Sequence, residues 1–191
     1  NNPSLFYVIA YNPLLNPDIF EKFIQDIKFH NDPTSFTSPI DKSQQRITKK
    51  PFGIFVSPDD SPIMPERFTG YHTGVDFEIL AEEKLKNVAV KSICNGSLQD
   101  KQTVNGYGGV VIQNCFLNDT EITVIYGHLR FSSIRGRKGG HLSAGEMIGY
   151  LGTGDSQETD GERKHLHLAI HAGSRIDLRG YVSFRGELND W

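Results

Sequence analysis

The sequence predicts a mainly β fold, an antiparallel β-sheet domain preceded by a short extension that carries one helix. Three observations predict it. From residue 46 onward, short apolar runs alternate with turn residues, the pattern of antiparallel strands joined by tight connections. Nineteen glycines and nine prolines in 191 residues supply those turns, because glycine admits positive φ and proline presets a turn angle. Earlier in the chain, Ile19, Phe20, Phe23, Ile24 and Ile27 recur at helical spacing and would form one apolar face. We therefore divide the chain into an N-terminal extension, 1–45, and a β domain, 46–191.

The extension begins with an apolar stretch, Ser4–Leu15, interrupted by polar residues. Asn16-Pro17-Asp18 then reads as a helix start, with Asn16 as N-cap and Pro17 at the first helical position. Asn31-Asp32-Pro33 is a stop, and His30 ends the helix. Such a helix either packs against the main domain or lies over its groove as a regulatory segment. In the β domain the candidate strands are Phe52–Val56, Val75–Leu80, Asn87–Ile93, Gly109–Cys115, Glu121–Gly127, Glu146–Leu151 and His165–His171. Two loops stand out. Ser57–Thr69 carries three prolines, which predicts an ordered excursion, and Thr153–Lys164 is polar and leads directly into His165.

Composition narrows the function. With 37% hydrophobic and 23% charged residues, the chain has the make-up of a soluble globular domain large enough to bury a core. A formal net charge of −3 gives no electrostatic case for nucleic-acid binding. No apolar run approaches the roughly 20 residues that span a bilayer. The chain starts at Asn1 rather than Met, so we expect a mature or trimmed form, in which a removed leader or anchor would be invisible. Cys94 and Cys115 lie in no Cys-x-x-Cys motif. If 87–99 and 109–116 pair as a hairpin, the two fall near each other, either as a disulfide of an oxidising compartment or as two small buried apolar residues.

The chemistry is carried by three histidine-bearing fragments in order: His72-Thr-Gly-Val-Asp76, Tyr126-Gly-His128-Leu129 and His165-Leu-His167. Histidine is the commonest protein metal ligand, and a carboxylate beside two imidazoles makes an open catalytic zinc shell. Strand alternation puts His165 and His167 on one face, so one can bind a metal while its neighbour reaches substrate. Gly74 permits a sharp backbone path between His72 and Asp76. On a regular strand His171 shares the face of 165, 167 and 169, where it either supports the site or simply packs. His141 lies in a Gly-Gly-His turn. The absence of a His-Glu-x-x-His word argues against a helix-borne glutamate base.

Together these fragments resemble the M23 zinc metallopeptidases, the LytM/lysostaphin-type peptidoglycan endopeptidases, whose pattern is His-x-x-x-Asp, a Tyr-x-His-Leu word and a terminal His-x-His. Arg46-Ile-Thr-Lys-Lys-Pro-Phe-Gly53, Asn105-Gly-Tyr-Gly-Gly-Val-Val-Ile112 and Ser143-Ala-Gly-Glu-Met-Ile-Gly149 extend the likeness over roughly 46–172. The resemblance implies a LytM-like fold with Zn2+ as cofactor, held by His72, Asp76 and His167. It further implies that His128 and His165 are the catalytic histidines, stabilising the oxyanion and moving a proton. It implies a peptidoglycan peptide as substrate, a bacterial cell-envelope or extracellular location, and a monomer. Where relatives commonly carry Gly-Pro before the final His pair, this chain has Arg163-Lys164. Where they often carry an acidic residue two positions after it, this chain has Ala169. The 153–164 loop is also longer. These departures remove no ligand and alter the groove. Two other readings compete. An inactive relative that binds or activates another wall hydrolase is disfavoured, because all five residues are present. A biotinyl or lipoyl carrier, suggested by the Gly-Glu-Met-Ile-Gly turn, is disfavoured because no Met-Lys-Met or Asp-Lys-Ala word occurs.

Overall fold

A computed structural model describes residues 36–117 and 119–191. The helix expected over 16–31 lies outside them. The centre is a six-stranded antiparallel sheet ordered β3-β10-β7-β6-β5-β8. Its strands are β3 Gly74–Glu78, β5 Gly96–Val104, β6 Gly108–Leu117, β7 Thr120–Leu129, β8 His141–Leu142 and β10 His165–Ala172. A three-stranded sheet of β1 Phe55–Val56, β2 Gly70–His72 and β11 Tyr181–Val182 flanks it, and β4 Ala89–Lys91 pairs with β9 Met147–Tyr150 as a ribbon. The fold is mainly β and antiparallel, as expected. Among the described residues the helical segments are short 3₁₀ turns, and none is long and apolar enough to cross a membrane.

Alternation explains how the sheet sorts its residues. Val75 and Phe77 of β3, Val124 and Tyr126 of β7, and Leu166 and Leu168 of β10 face the main core with Ile93, Leu98, Ile148 and Leu151. The opposite face carries Val110 and Ile112 of β6, Ile125 of β7 and Ala169 of β10, gathered around Tyr107. Both faces of the central strands are therefore covered. In the preceding segment, Ile40 is buried in the main core and Phe36 packs against it. Arg46, 1% exposed, donates to Glu83 Oε2 at 2.7 Å and Oε1 at 2.8 Å and to the Asp41 carbonyl at 2.6 Å, fastening the described end of the extension to the domain.

The sequence-based strand list needs correction in one region. The segment 87–99 does not form a single strand paired with 109–116. Ala89–Lys91 pairs with β9, and a separate strand, β5, starts at Gly96 and pairs with β6 from Gly96↔Cys115 onward. β5 escapes pattern reading because only Leu98 along its length is fully buried and most of its side chains are polar. Gly96 is required there. A Cβ at that position would lie 2.0 Å from the Asn114 carbonyl oxygen. Strands β2, β8 and β11 are two or three residues long, too short to show a period.

Cys94 and Cys115 form a disulfide with Cα atoms 6.3 Å apart and a sequence separation of 21, which decides for the first of the two readings. Closing a loop of that length restricts the unfolded chain by about 3 kcal/mol. We expect reduction to lower the unfolding free energy by about that amount in urea titrations. A loss below about 1 kcal/mol would show that the reduced unfolded chain already keeps this loop closed.

Candidate metal centre

Three elements bring the predicted side chains together. His72 ends β2, Asp76 lies on β3, and only Thr73 separates the two strands. Thr73 is pinned by its N–H to the Gly180 carbonyl at 3.1 Å and by its hydroxyl to the Arg179 carbonyl at 2.7 Å. β10 pairs with β3 so that His167 stands opposite Asp76 and His165 opposite Glu78. The role of Gly74 differs from the expectation of a sharp turn. It sits in extended β3, and a Cβ there would come within 2.6 Å of both His167 Nε2 and the Leu168 carbonyl oxygen. Glycine is needed for close approach, which lets the His167 ring sit against the β3 backbone.

The donor atoms of His72, Asp76 and His167 form a tight triangle. His72 Nε2 lies 3.0 Å from His167 Nδ1 and 3.3 Å from Asp76 Oδ1, and His167 Nδ1 lies 3.2 Å from Asp76 Oδ1. Tetrahedral zinc with ligand bonds of about 2.0–2.1 Å spaces its donors by about 3.3–3.4 Å, so the triangle fits such an ion. The outer ring nitrogens support the same assignment. His72 Nδ1 faces the Pro51 carbonyl at 3.3 Å and His167 Nε2 faces the Tyr107 hydroxyl at 3.3 Å. Each ring can donate its N–H outward and turn a lone pair toward the triangle. Burial pulls the His167 imidazole down to about 4, which keeps it unprotonated near neutrality. Burial alone would favour a neutral Asp76, but the electrostatic influence of His165 and His72 and the close contacts with His165 and His167 outweigh it, holding the carboxyl well below its usual range.

His128 reaches the same place by a local irregularity. On a regular β7 it would share the core-facing side of Tyr126. The β6–β7 register shifts between Gly109 and Val111, and His128 adopts a positive φ of 61°. A bulge of this kind re-aims a side chain. Here it rotates the imidazole onto the site face, with its ring centroid 4.2 Å from that of His165. Burial, reinforced by His165 and His167, holds His128 well below its usual pKa. Its Nδ1 is buried and makes no hydrogen bond within the protein. His165 Nδ1 lies 2.8 Å from the Arg163 carbonyl and its Nε2 lies 3.3 Å from Asp76 Oδ2.

All five residues line one cleft of about 300 Å³, together with Tyr107, Lys50, Arg163 and Tyr181. Those four had no assigned role in the sequence reading. Tyr107 lies inside the glycine word 105–112, and Arg163 is one of the departures from the family pattern. Lys50 lies inside the word 46–53, whereas Tyr181 gives no local signal, since its contact with Lys50 spans 131 residues. The two prominent loops meet at the cleft's edge, where Arg67 Nη2 donates to Glu162 Oε1 at 2.7 Å and to the Asp160 carbonyl at 2.9 Å. His171 lies away from the cleft, buried against the Trp191 ring at 4.9 Å, a packing position. His141 is exposed on β8, and His30 lies outside the described residues.

An antiparallel β domain that gathers two imidazoles and a carboxylate at the floor of a cleft, with two more imidazoles beside them, has the architecture of a metallopeptidase. The model of peptidase family M23 matches residues 70–178, more than half of the chain, and the chain belongs to that family. Among solved structures, CbpA from L. salivarius REN is 17% identical with a TM-score of 0.50, over 81% of this chain and 95% of that one. Csd3 from Helicobacter pylori is 22% identical with a TM-score of 0.47, over 78% of this chain and 35% of that one. A zinc-containing peptidase from Vibrio cholerae is 20% identical with a TM-score of 0.47, over 72% and 37%. At these identities the likeness is one of fold, and the chain spans little more than a third of the last two proteins. No curated protein matches the sequence.

Proposed function

We propose that this chain is a zinc-dependent endopeptidase that hydrolyses peptide cross-links of bacterial peptidoglycan. The observation that carries the reading is the convergence of His72 Nε2, Asp76 Oδ1 and His167 Nδ1 within 3.3 Å of one another in a cleft that His128 and His165 also line. Bound by these side chains, zinc supplies Lewis-acid polarisation of a peptide carbonyl and brings the pKa of water to about 7. The remaining work falls to the protein. His128, held neutral by burial, can donate an N–H toward charge developing on the carbonyl oxygen or accept a proton. His165 presents Nε2 to the same space while its Nδ1 donates to the Arg163 carbonyl, fixing the ring's orientation. One imidazole offsets the developing charge and the other delivers the proton to the leaving amine.

The Cys94–Cys115 disulfide suits an oxidising compartment, consistent with a periplasmic or secreted protein acting on the cell envelope, and we take the active species to be a monomer. Mass spectrometry of fragments released from purified peptidoglycans of different cross-link types, with and without a chelator, tests the reading. Chelator-sensitive release is expected, and the fragment masses will name the bond. No release from any wall type by zinc-loaded protein would overturn the enzyme assignment.

A further inference from the structure

Arg163 stands where relatives commonly have Gly-Pro, and the structure gives it a specific task. Asp76 and Glu78 alternate onto one face of β3, the same face of the sheet on which their partners in β10, His167 and His165, project. Arg163, two residues before His165, lays its guanidinium across both carboxylates. Its Nε donates to Glu78 Oε1 at 3.0 Å and Oε2 at 3.1 Å, and its Nη2 donates to Asp76 Oδ2 at 2.8 Å and also to Glu78 Oε1. The two oxygens of Asp76 are thereby separated by role. Oδ1 faces His72 and His167, whereas Oδ2 is taken by Arg163 and, at 3.3 Å, by His165.

Resting on the zinc-site reading above, we propose that Arg163 is a positioning residue that clamps Asp76 Oδ2, so that Asp76 presents a single oxygen to the metal. Glu78 holds the guanidinium in the plane this requires. A planar fork suits the task, because it bonds two carboxylates in fixed directions, which a lysine ammonium does not. Charge repulsion between the guanidinium and a dication does not undo the benefit. Two carboxylates share the guanidinium, and Lys49 Nζ lies 3.5 Å from Glu78 Oε2, so the cluster is balanced in charge and adds no net positive field. Without Arg163, Oδ2 keeps only its longer contact with His165, and the carboxylate is free to swing toward two-oxygen ligation or away from the metal.

The test compares wild type, Arg163→Met, Arg163→Lys and Glu78→Gln in the full chain. Zinc affinity is measured by chelator competition and coordination by the visible spectrum of the cobalt-substituted protein. Arg163→Met is expected to weaken zinc binding about ten- to a hundredfold. It should also replace intense four-coordinate cobalt bands with the weaker bands of a higher coordination number. Arg163→Lys should recover only part of either property, and Glu78→Gln, which loosens the clamp without removing it, should shift both in the same direction by less. If Arg163→Met does not fold, the other two variants carry the comparison. Zinc affinities within about twofold of wild type and unchanged cobalt spectra in the folded variants would overturn the assignment. Failure of the wild-type chain itself to take up either metal would instead overturn the zinc site, and this role with it.

Discussion

His165→Ala and His128→Ala are each expected to keep stoichiometric zinc and to lose turnover by about 10²- to 10⁴-fold, whereas His167→Ala loses the metal. The contrast follows from which atoms face the triangle. His167 Nδ1 is one of its three corners, within 3.2 Å of the other two, and removing it leaves a buried carboxylate and one imidazole, too few for a structured zinc shell. His165 approaches Asp76 only at Oδ2, 3.3 Å away, and His128 touches the site through the His165 ring. Neither contributes a corner, so their loss should be felt in the transition state and not in metal content. Atomic absorption on the purified variants, paired with turnover on cross-linked peptide, makes the comparison. Equal metal content and full activity in all three would sink the assignment of roles.

Much of this arrangement was legible in the sequence, and the reasons are local. His165 and His167 are two apart on a strand, so alternation alone puts them on one face, and His72 and Asp76 flank a glycine that admits His167 against the backbone. Strands with a clear apolar run or alternation, such as Gly108–Leu117 and His165–Ala172, are legible within a residue or two of their bounds. What was not legible depends on register or on distant partners. β5 hides its identity because its buried content is little more than Leu98, its other stabilising contacts being backbone ladders on both edges. The orientation of His128 depends on a bulge that no composition rule signals; plain alternation would have sent it into the core beside Tyr126. Arg163 was visible as an anomaly, but its meaning requires the pairing of β10 with β3, which places two acidic side chains under its guanidinium.

Glu66→Gln should cost the fold about 3–5 kcal/mol, although Glu66 is no part of the metal triangle. Glu66 and Lys50 form an ion pair at 2.5 Å with both side chains 2% exposed. The carboxylate also accepts from the Ser61 hydroxyl at 2.8 Å and from the backbone N–H groups of Arg67 and Phe68 at 3.0 and 3.1 Å. Lys50 in turn donates to the Tyr181 hydroxyl at 2.9 Å. A neutral glutamine keeps the volume and some of the hydrogen bonds but strands the Lys50 ammonium in a buried site, and an uncompensated buried charge costs more than the pair contributed. Replacing both partners with apolar residues is therefore expected to be milder than the sum of the single changes, the signature of coupling in a double-mutant cycle. The pH dependence separates this mechanism from simple loss of packing. Burial opposes ionisation of Glu66, but hydrogen bonds from Lys50, Ser61 and Phe68 outweigh it, so the folded carboxyl titrates below the ordinary glutamate value of 4.5. The unfolded state then binds the proton first as pH falls. The contribution of Glu66 is fully present above 4.5 and disappears as pH drops through the lowered folded value. Urea unfolding in the presence of chelator should accordingly show a wide gap between wild type and Glu66→Gln at pH 7 that narrows below 4.5. The loop from Ser57 to Thr69 hangs on this pair, and the Lys50 carbonyl accepts the Asp76 N–H at 3.0 Å. A gap that stayed constant with pH would mean that the pair contributes shape rather than charge, and that the cleft wall is held in place by packing alone.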